Sequence, residues 1–200
     1  MWGELWRPYC PSNESRIDGG NDEPLGRESS PFQGVEESDM TEGLVKPWID
    51  AKKYQADRFR EALYEADLAE RFLNDGLIRN SVGKAYQAVK AYVAGISVDY
   101  RDLLLKYYPG RKKISPIKVV EKVDWIIAIM PSNKLREIVA IIGDKELRFI
   151  TEIALDLHEF QYNGFDKDVE ISRYSKEEFV KRDIMLVIEF IKSRLSHIVA

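Results

Sequence analysis

The chain has 200 residues, of which 44% are apolar and 32% are charged, and this is ample for one globular domain or for one domain with a tail. The net charge of −4 is too small to indicate a partner, and the single cysteine, Cys10, excludes a disulfide within the chain and argues against a cysteine-based metal site. No apolar segment reaches the roughly 20 residues that span a bilayer, and the opening MWGELWRPYCPS lacks the basic start and apolar run of a secretory signal. We therefore expect a cytoplasmic protein with no membrane partner.

Residues 1–40 differ in composition from the rest of the chain. They hold nine acidic and three basic residues and are rich in Gly, Pro, Ser and Asn, whereas residues 41–200 hold 25 acidic and 27 basic residues. The first segment has no helical or strand period and therefore predicts a disordered extension, while residues 41–200 are predicted to form the folded domain. Because a regular segment begins soon after Met40, a further hypothesis is that residues 1–40 are a mis-annotated leader. The plentiful Lys, Glu, Arg and Ile after residue 41 are typical of heat-adapted proteins.

The first regular segment predicts an antiparallel pair of helices. The pattern turns helical at Pro47 and is stopped by Asn74, Asp75 and Gly76, and a second helix follows from about Val82. Small residues at helical spacing predict a close approach of the two helices. These residues are Ala62, Ala66, Ala69, Ala85, Ala88 and Ala91.

The central third predicts further helices separated by turn signals. The second helix is expected to continue through residues 97–108 and to break at Pro109 and Gly110. Ser115 and Pro116 have the residue types of a helix N-cap and first position, so a helix is predicted to begin there. A short helix follows Pro131 and ends at Gly143.

The last third predicts two longer helices. Asp144 is expected to cap a helix that runs to about Tyr162, and the capping-box pattern of Ser175 and Glu178 starts a final helix that ends near His197. That helix contains DIMLVIEFI, which is apolar almost all round and is typical of a helix at the centre of a bundle or at a subunit interface. Only DVEIS suggests a strand. The sequence thus predicts an all-α fold, a single up-and-down-like bundle of about six helices.

The stretch HEFQY differs by one residue from the HExxH motif of zinc proteases. Tyr162 stands where the second metal-binding histidine would be, so zinc chemistry is not predicted. At 100° per residue, His158 lies about 40° from the centre of the apolar face at Ala154. Two interpretations stay open: a half-buried histidine bonded to a carbonyl or hydroxyl at the helix end, or a general base in a cleft, assisted by Tyr162 and Glu159.

The stretch KYYPGRKKISPIK combines basic and aromatic residues. Cations can bind phosphates and aromatic rings can stack on bases, so this pattern is a candidate nucleic-acid site, although a charged loop between helices explains it as well. The candidate residues are Lys106, Tyr107, Tyr108, Arg111, Lys112 and Lys113. The alternating acids Asp166, Asp168 and Glu170 lack the spacing of a calcium loop. No phosphate-binding glycine loop is present, so no cofactor and no metal are predicted.

The alanine-rich hairpin EADLAERFLNDGLIRNSVGKAYQAVKAYVAGI, the segment LHEFQYNGF and the last helix KEEFVKRDIMLVIEFI together resemble the archaea-specific PaREP family over roughly residues 48–195. The helical layout of that family is similar to the HEPN (higher eukaryotes and prokaryotes nucleotide-binding) superfamily. Many HEPN proteins are dimeric, metal-independent ribonucleases or partners of nucleotidyltransferases. The resemblance therefore implies a HEPN-like helical bundle that forms a homodimer.

The HEPN ribonucleases carry an arginine four to six residues before a histidine. His158 matches the histidine, but the matching positions hold Thr151, Glu152 and Ile153, and Arg148 lies ten residues away, about 15 Å along a helix. The resemblance thus implies a non-catalytic binding module that self-associates through its last helix and takes RNA, a nucleotide or a protein encoded by a neighbouring gene. The alternative is a divergent metal-independent ribonuclease or toxin–antitoxin component that uses His158.

Overall fold

Seven helices and one short β-hairpin make up the part of the chain that the computed structural model describes, residues 45–165 and 172–199. The elements are α1 (Ala51–Asn74), α2 (Ile78–Ile96), α3 (Arg101–Tyr107), β1 (Arg111–Ser115), β2 (Lys118–Glu121), α4 (Lys122–Ile129), α5 (Ser132–Ile142), α6 (Lys145–Asn163) and α7 (Glu177–Val199). The all-α prediction is confirmed. The predicted extension at residues 1–40, the acids at 166, 168 and 170, and most of DVEIS lie outside the described residues.

Helices α1 and α2 form the predicted hairpin. The Asp50 side chain accepts a hydrogen bond from the Lys53 backbone N–H at 2.9 Å, so α1 begins at Ala51 and not at Pro47. The predicted small residues pack between the two helices and are almost completely buried. A Cβ at Gly95 would lie 2.6 Å from the Phe59 ring, so only glycine allows this approach.

Helix α2 is the most enclosed helix of the described bundle. It packs against α1, α5, α6 and α7, and it is buried along most of its length. Helix α7, whose apolar sequence predicted a central position, packs against α1, α2 and α6. Its core side is formed by Val180, Ile184, Val187, Ile188, Phe190, Ile191 and Leu195. Helices α2 and α7 are therefore both largely apolar, but one side of α7 lies at the surface.

The prediction of a helix starting at Pro116 is wrong, because this segment forms the antiparallel hairpin β1–β2. Pro116 lies in the two-residue connection between the strands, where its fixed φ suits a turn as well as a helix start. The β-branched Val119 and Val120 favour the strand that follows. Residues 97–108 also differ from the prediction, since a turn separates α2 from α3, and this adds the seventh helix.

Polar contacts link α3 and α4, which flank the β1–β2 hairpin, to each other and to α1. Arg101 of α3 donates to both carboxylate oxygens of Asp124 of α4, at 2.6 and 2.9 Å. The Tyr54 hydroxyl donates to the carbonyl of Ile127 at 2.7 Å, and Arg58 donates to the carbonyl of Ala128 at 3.0 Å. The end of α4 is thus bound to α1, which fixes the orientation of the hairpin that precedes α4.

Candidate functional site

A surface with a large excess of basic residues is the basic hairpin, defined as residues 106–122. It contains six basic residues and one acidic residue, whereas residues 41–200 are nearly balanced. The basic residues are Lys106, Arg111, Lys112, Lys113, Lys118 and Lys122, and the acidic one is Glu121. A surface with this imbalance attracts polyanions.

The strand register divides the basic hairpin into two faces. Arg111 pairs with Glu121 and Lys113 with Val119, so these four side chains share one face. Lys112 pairs with Val120, which is 8% exposed and therefore marks the face toward the bundle. Arg111 is held loosely by Glu121 at 3.4 Å, and among the described residues no hydrogen bond or ion pair involves the side chain of Lys106 or of Lys113. These two cations are available for a ligand.

Two other cations of the basic hairpin lie over tryptophan rings. The Lys112 Nζ is 4.8 Å from the centroid of Trp125, and the Lys118 Nζ is 5.4 Å from that of Trp48. Such cation–π contacts hold the two side chains against the bundle, although both lysines remain exposed to water. The two tryptophans were not predicted as part of the site, because sequence spacing gives no signal for this contact.

The six predicted nucleic-acid residues do not all lie at the surface. Tyr107 is 59% exposed and can stack on a base, but Tyr108 is only 4% exposed and its ring is covered by the Lys134 side chain. Burial and the neighbouring carboxylate of Glu137 raise the pKa of Tyr108. Tyr108 is therefore a core residue, and the structure removes it from the candidate surface.

His158 lies in an aromatic group that we call the His158 cluster: Tyr86, His158 and Tyr162. The His158 ring stacks on Tyr86 with centroids 4.0 Å apart and an angle of 11°, and Tyr162 meets it edge-on at 5.3 Å. The Nδ1 atom is buried and has no hydrogen-bond partner among the described residues. The Nδ1 atom thus does not form the expected bond to a carbonyl or hydroxyl, and the ring is packed on Tyr86.

The surroundings of His158 favour its neutral form. Burial lowers the pKa of His158, the charge of Lys90 lowers it further, and a hydrogen bond with the Gln161 side chain opposes them. A neutral imidazole can accept a proton, and Tyr162 is 72% exposed beside it. The three residues of the ribonuclease hypothesis, His158, Glu159 and Tyr162, lie near each other on the last turns of α6.

A groove of about 580 Å³ runs along α5 and α6, and Ser132 in its wall connects it to the His158 cluster. The Tyr86 hydroxyl and the Ser132 hydroxyl are hydrogen-bonded at 2.5 Å. Three arginines line the groove, Arg136, Arg148 and Arg173. Three carboxylates, those of Glu137, Asp156 and Glu159, line it as well, so the charges balance and no anion site results.

The outward side of α7 carries a second, apolar groove. It has a volume of about 480 Å³ and is lined by Glu178, Lys181, Arg182, Met185, Leu186 and Glu189. Leu186 is 41% exposed and Phe179 is 42% exposed. Among the described residues, no element packs over this face.

Neither a metal cluster nor a membrane helix is found in residues 45–165 and 172–199. No group of three His, Cys, Asp or Glu side chains is placed to hold a metal ion. Within the same ranges, no helix combines the length and the apolar character that crossing a membrane requires.

Comparison with known proteins gives one family. The model of the archaeal PaREP1/PaREP8 family matches residues 57–185, which include the α1–α2 contact, the basic hairpin and the His158 cluster. No curated protein and no solved structure shows a significant match to the chain. The match covers more than half of the chain and confirms the family predicted from the alanine-rich helices and LHEFQYNGF.

Proposed function

The chain belongs to the archaeal PaREP1/PaREP8 family, and we propose that it is a non-catalytic nucleic-acid-binding module with a HEPN-like helical layout. RNA is the ligand that this proposal favours. In this proposal the basic hairpin contacts the RNA, and the helical bundle holds the hairpin in place. The remaining predictions, a cytoplasmic and heat-adapted protein, are compatible with this role and stay predictions.

The charge of the basic hairpin carries the proposal. Its cations gain energy from phosphates through Coulomb attraction and the release of counterions, without any need for a defined base sequence. Tyr107 adds an exposed ring next to Lys106, and base–aromatic stacking contributes roughly 1–3 kcal/mol per base in other single-strand binders. The balanced charges of the α5–α6 groove offer no comparable attraction.

A matched pair of charge reversals tests the proposal. Fluorescence anisotropy with a labelled single-stranded RNA is expected to show that Lys113→Glu weakens binding at least tenfold at 50 mM salt. Lys145→Glu changes the net charge equally, but it lies at the first turn of α6, away from the basic hairpin, and is expected to bind within about twofold of the wild type. Equal losses in both variants would show that only net charge matters, and the proposed surface would be wrong.

The absence of the ribonuclease pattern supports a non-catalytic role. The positions that would hold the catalytic arginine are Thr151, Glu152 and Ile153; Thr151 is 1% exposed and Glu152 binds Arg136 at 2.8 Å. His158 lies against Tyr86, and its Nδ1 atom is buried. This nitrogen is not accessible to a substrate in this arrangement.

A divergent metal-independent ribonuclease is the second candidate, and the lowered pKa of His158 favours it. A histidine that is neutral near pH 7 can act as a general base, and Glu159 and Tyr162 are exposed beside it. The full chain incubated with RNA in EDTA separates the two functions. The non-catalytic module binds RNA without cleaving it, whereas cleavage that His158→Phe abolishes at unchanged melting temperature would establish the ribonuclease.

Self-association through α7 belongs to the same proposal. Two copies of α7 packed antiparallel about a twofold axis at Met185 and Leu186 would place Arg182 of one copy opposite Glu189 of the other. The same geometry would cover Leu186, which is 41% exposed in the single chain. The apolar lining and the self-complementary charges of this face both support a homodimer.

A further inference from the structure

The tip of the basic hairpin presents an isoleucine to solvent. Ile117 is 97% exposed, and it follows Pro116 in the connection that the pair Ser115 and Lys118 closes. Burial of an isoleucine stabilises a fold, and Ile117, which is almost fully exposed, contributes almost nothing in this way. A side chain that is nearly completely exposed at a projecting tip is available for a ligand.

The hairpin that carries Ile117 is attached firmly to the bundle. Val120 is buried, Lys112 lies over Trp125, and the Lys122 backbone N–H donates to the carbonyl of Gly110 at 2.8 Å. Lys118 lies over Trp48 on the bundle side. The strands on both sides of the tip are therefore anchored to the bundle, which lowers the cost of ordering the tip on a ligand.

Cations flank the tip on two faces. Lys113 lies on the outward face together with Val119, whereas Lys118 is drawn toward the bundle by Trp48. A ligand with negative charge on both sides of a narrow gap complements this arrangement better than a flat anionic surface, which meets one face only. An interrupted nucleic-acid helix offers such a gap, because negatively charged phosphates lie along both strands that border it.

We propose that Ile117 is a wedge that enters a gap in stacked bases, so that the basic hairpin prefers RNA whose helix is interrupted by a bulge or an unpaired base. This inference rests on the proposed nucleic-acid function and specifies its ligand. Apolar side chains such as Ile and Pro separate base steps in other complexes, and the separation costs free energy because stacking is lost. The cost is smallest where pairing is already broken, and unstacked bases in bulges are the parts of RNA that side chains reach.

The test compares two RNA duplexes of equal length, one fully paired and one with a single-nucleotide bulge next to 2-aminopurine. The full chain is expected to bind the bulged RNA roughly tenfold more tightly and to raise the 2-aminopurine fluorescence, because the fluorophore loses its stacking. Ile117→Ser is expected to bind both duplexes within twofold of each other, without the fluorescence change. Leu77→Ser, which removes an apolar side chain that is 48% exposed and lies outside the basic hairpin, is the control and keeps the preference.

The outcomes separate the wedge from the proposed function. Equal, salt-dependent binding of both duplexes by the wild type overturns the wedge and leaves the proposed function standing, whereas no binding to any RNA at 50 mM salt contradicts the proposed function itself. If Ile117→Ser still binds the bulged duplex more tightly than the paired one, the wedge proposal is also wrong. The last measurement uses vesicles of phosphatidylserine. If the wild type binds these vesicles, Ile117→Ser does not, and the two duplexes are bound equally, the tip contacts an anionic lipid surface instead.

Discussion

His158 lies between two aromatic rings, and this packing determines its protonation. The stack on Tyr86 covers one face of the imidazole, and the edge of Tyr162 approaches it from another direction. Taking the ring out of water disfavours the imidazolium, and the nearby Lys90 acts in the same direction. Its neutral form therefore belongs to the stable fold.

The lowered pKa of His158 predicts a stability that depends on pH. The unfolded chain binds a proton near pH 6.5 and the folded chain only at lower pH, so the contribution is fully present above pH 6.5 and is lost as the pH falls toward the folded pKa. We expect the melting temperature of the wild type to fall between pH 7.5 and pH 5 by more than that of His158→Phe. If the melting temperatures of the wild type and of His158→Phe fall equally with pH, burial does not shift the pKa of this histidine.

Gly164 ends α6 in a conformation that glycine alone adopts easily. Its φ of +71° and ψ of −156° lie in a region that costs other residues roughly 1–3 kcal/mol, and an added Cβ would overlap the guanidinium of Arg79. We predict that Gly164→Ala lowers the unfolding free energy by about 2–3 kcal/mol in urea denaturation. Gly143→Ala is the control: φ is +83° there but the space is open, and a cost of about 1 kcal/mol is expected. Equal costs would mean that the backbone conformation of Gly164 is no more restrictive than that of Gly143.

At the scale of elements, the ion pair between α3 and α4 fixes the two ends of the basic hairpin. Asp124 is 6% exposed and accepts two hydrogen bonds from Arg101, so the removal of the arginine leaves a buried carboxylate without its partner. We predict that Arg101→Met lowers the unfolding free energy by about 2–3 kcal/mol, less than for a fully buried pair, because the arginine is partly exposed.

The exposed pair Arg111–Glu121 provides the control for Arg101→Met. Its atoms are 3.4 Å apart and both side chains are accessible to water, so Arg111→Met is expected to cost less than about 0.5 kcal/mol. Urea denaturation of both variants measures the difference. If both variants unfold at the same urea concentration, the buried pair does not hold the hairpin in place.

The elements that were predicted well from the sequence are those whose helical spacing continues over several turns. The Ala spacing of α1 and α2 continues over several turns, and Gly76, Gly143 and Gly164 end their helices at the expected places. The hairpin β1–β2 was missed because its strands have only five and four residues, which is too short for a clear alternation, and because Ser115 and Pro116 are equally good residues for a helix start. The candidate surface, which stays a prediction, was chosen from the basic and aromatic residues of the sequence, but the burial of Tyr108 and the contacts of Trp48 and Trp125 depend on tertiary packing.

At the scale of the whole molecule, the outer face of α7 predicts a specific dimer. Arg182→Glu and Glu189→Arg each place like charges opposite each other across the proposed twofold axis, so each variant alone is expected to weaken the dimer at least tenfold. The double variant restores opposite charges and is expected to dimerise again. Light scattering coupled to size exclusion at micromolar concentration checks this. A wild type that remains a monomer would contradict the interface, and a double variant as weak as the singles would contradict the register.

If the basic hairpin binds RNA through phosphates, as proposed, RNA binding depends steeply on the salt concentration. Each phosphate contact on a single strand adds about −0.7 to the slope of log K against log salt concentration. Lys106→Ser with Lys113→Ser removes two cations that have no partner among the described residues, so we expect a slope that is shallower by about 1.4 than that of the wild type. The control, Lys145→Ser with Lys176→Ser, is expected to keep the wild-type slope. If the hairpin substitutions leave the slope unchanged, the basic hairpin is not the surface that contacts the phosphates.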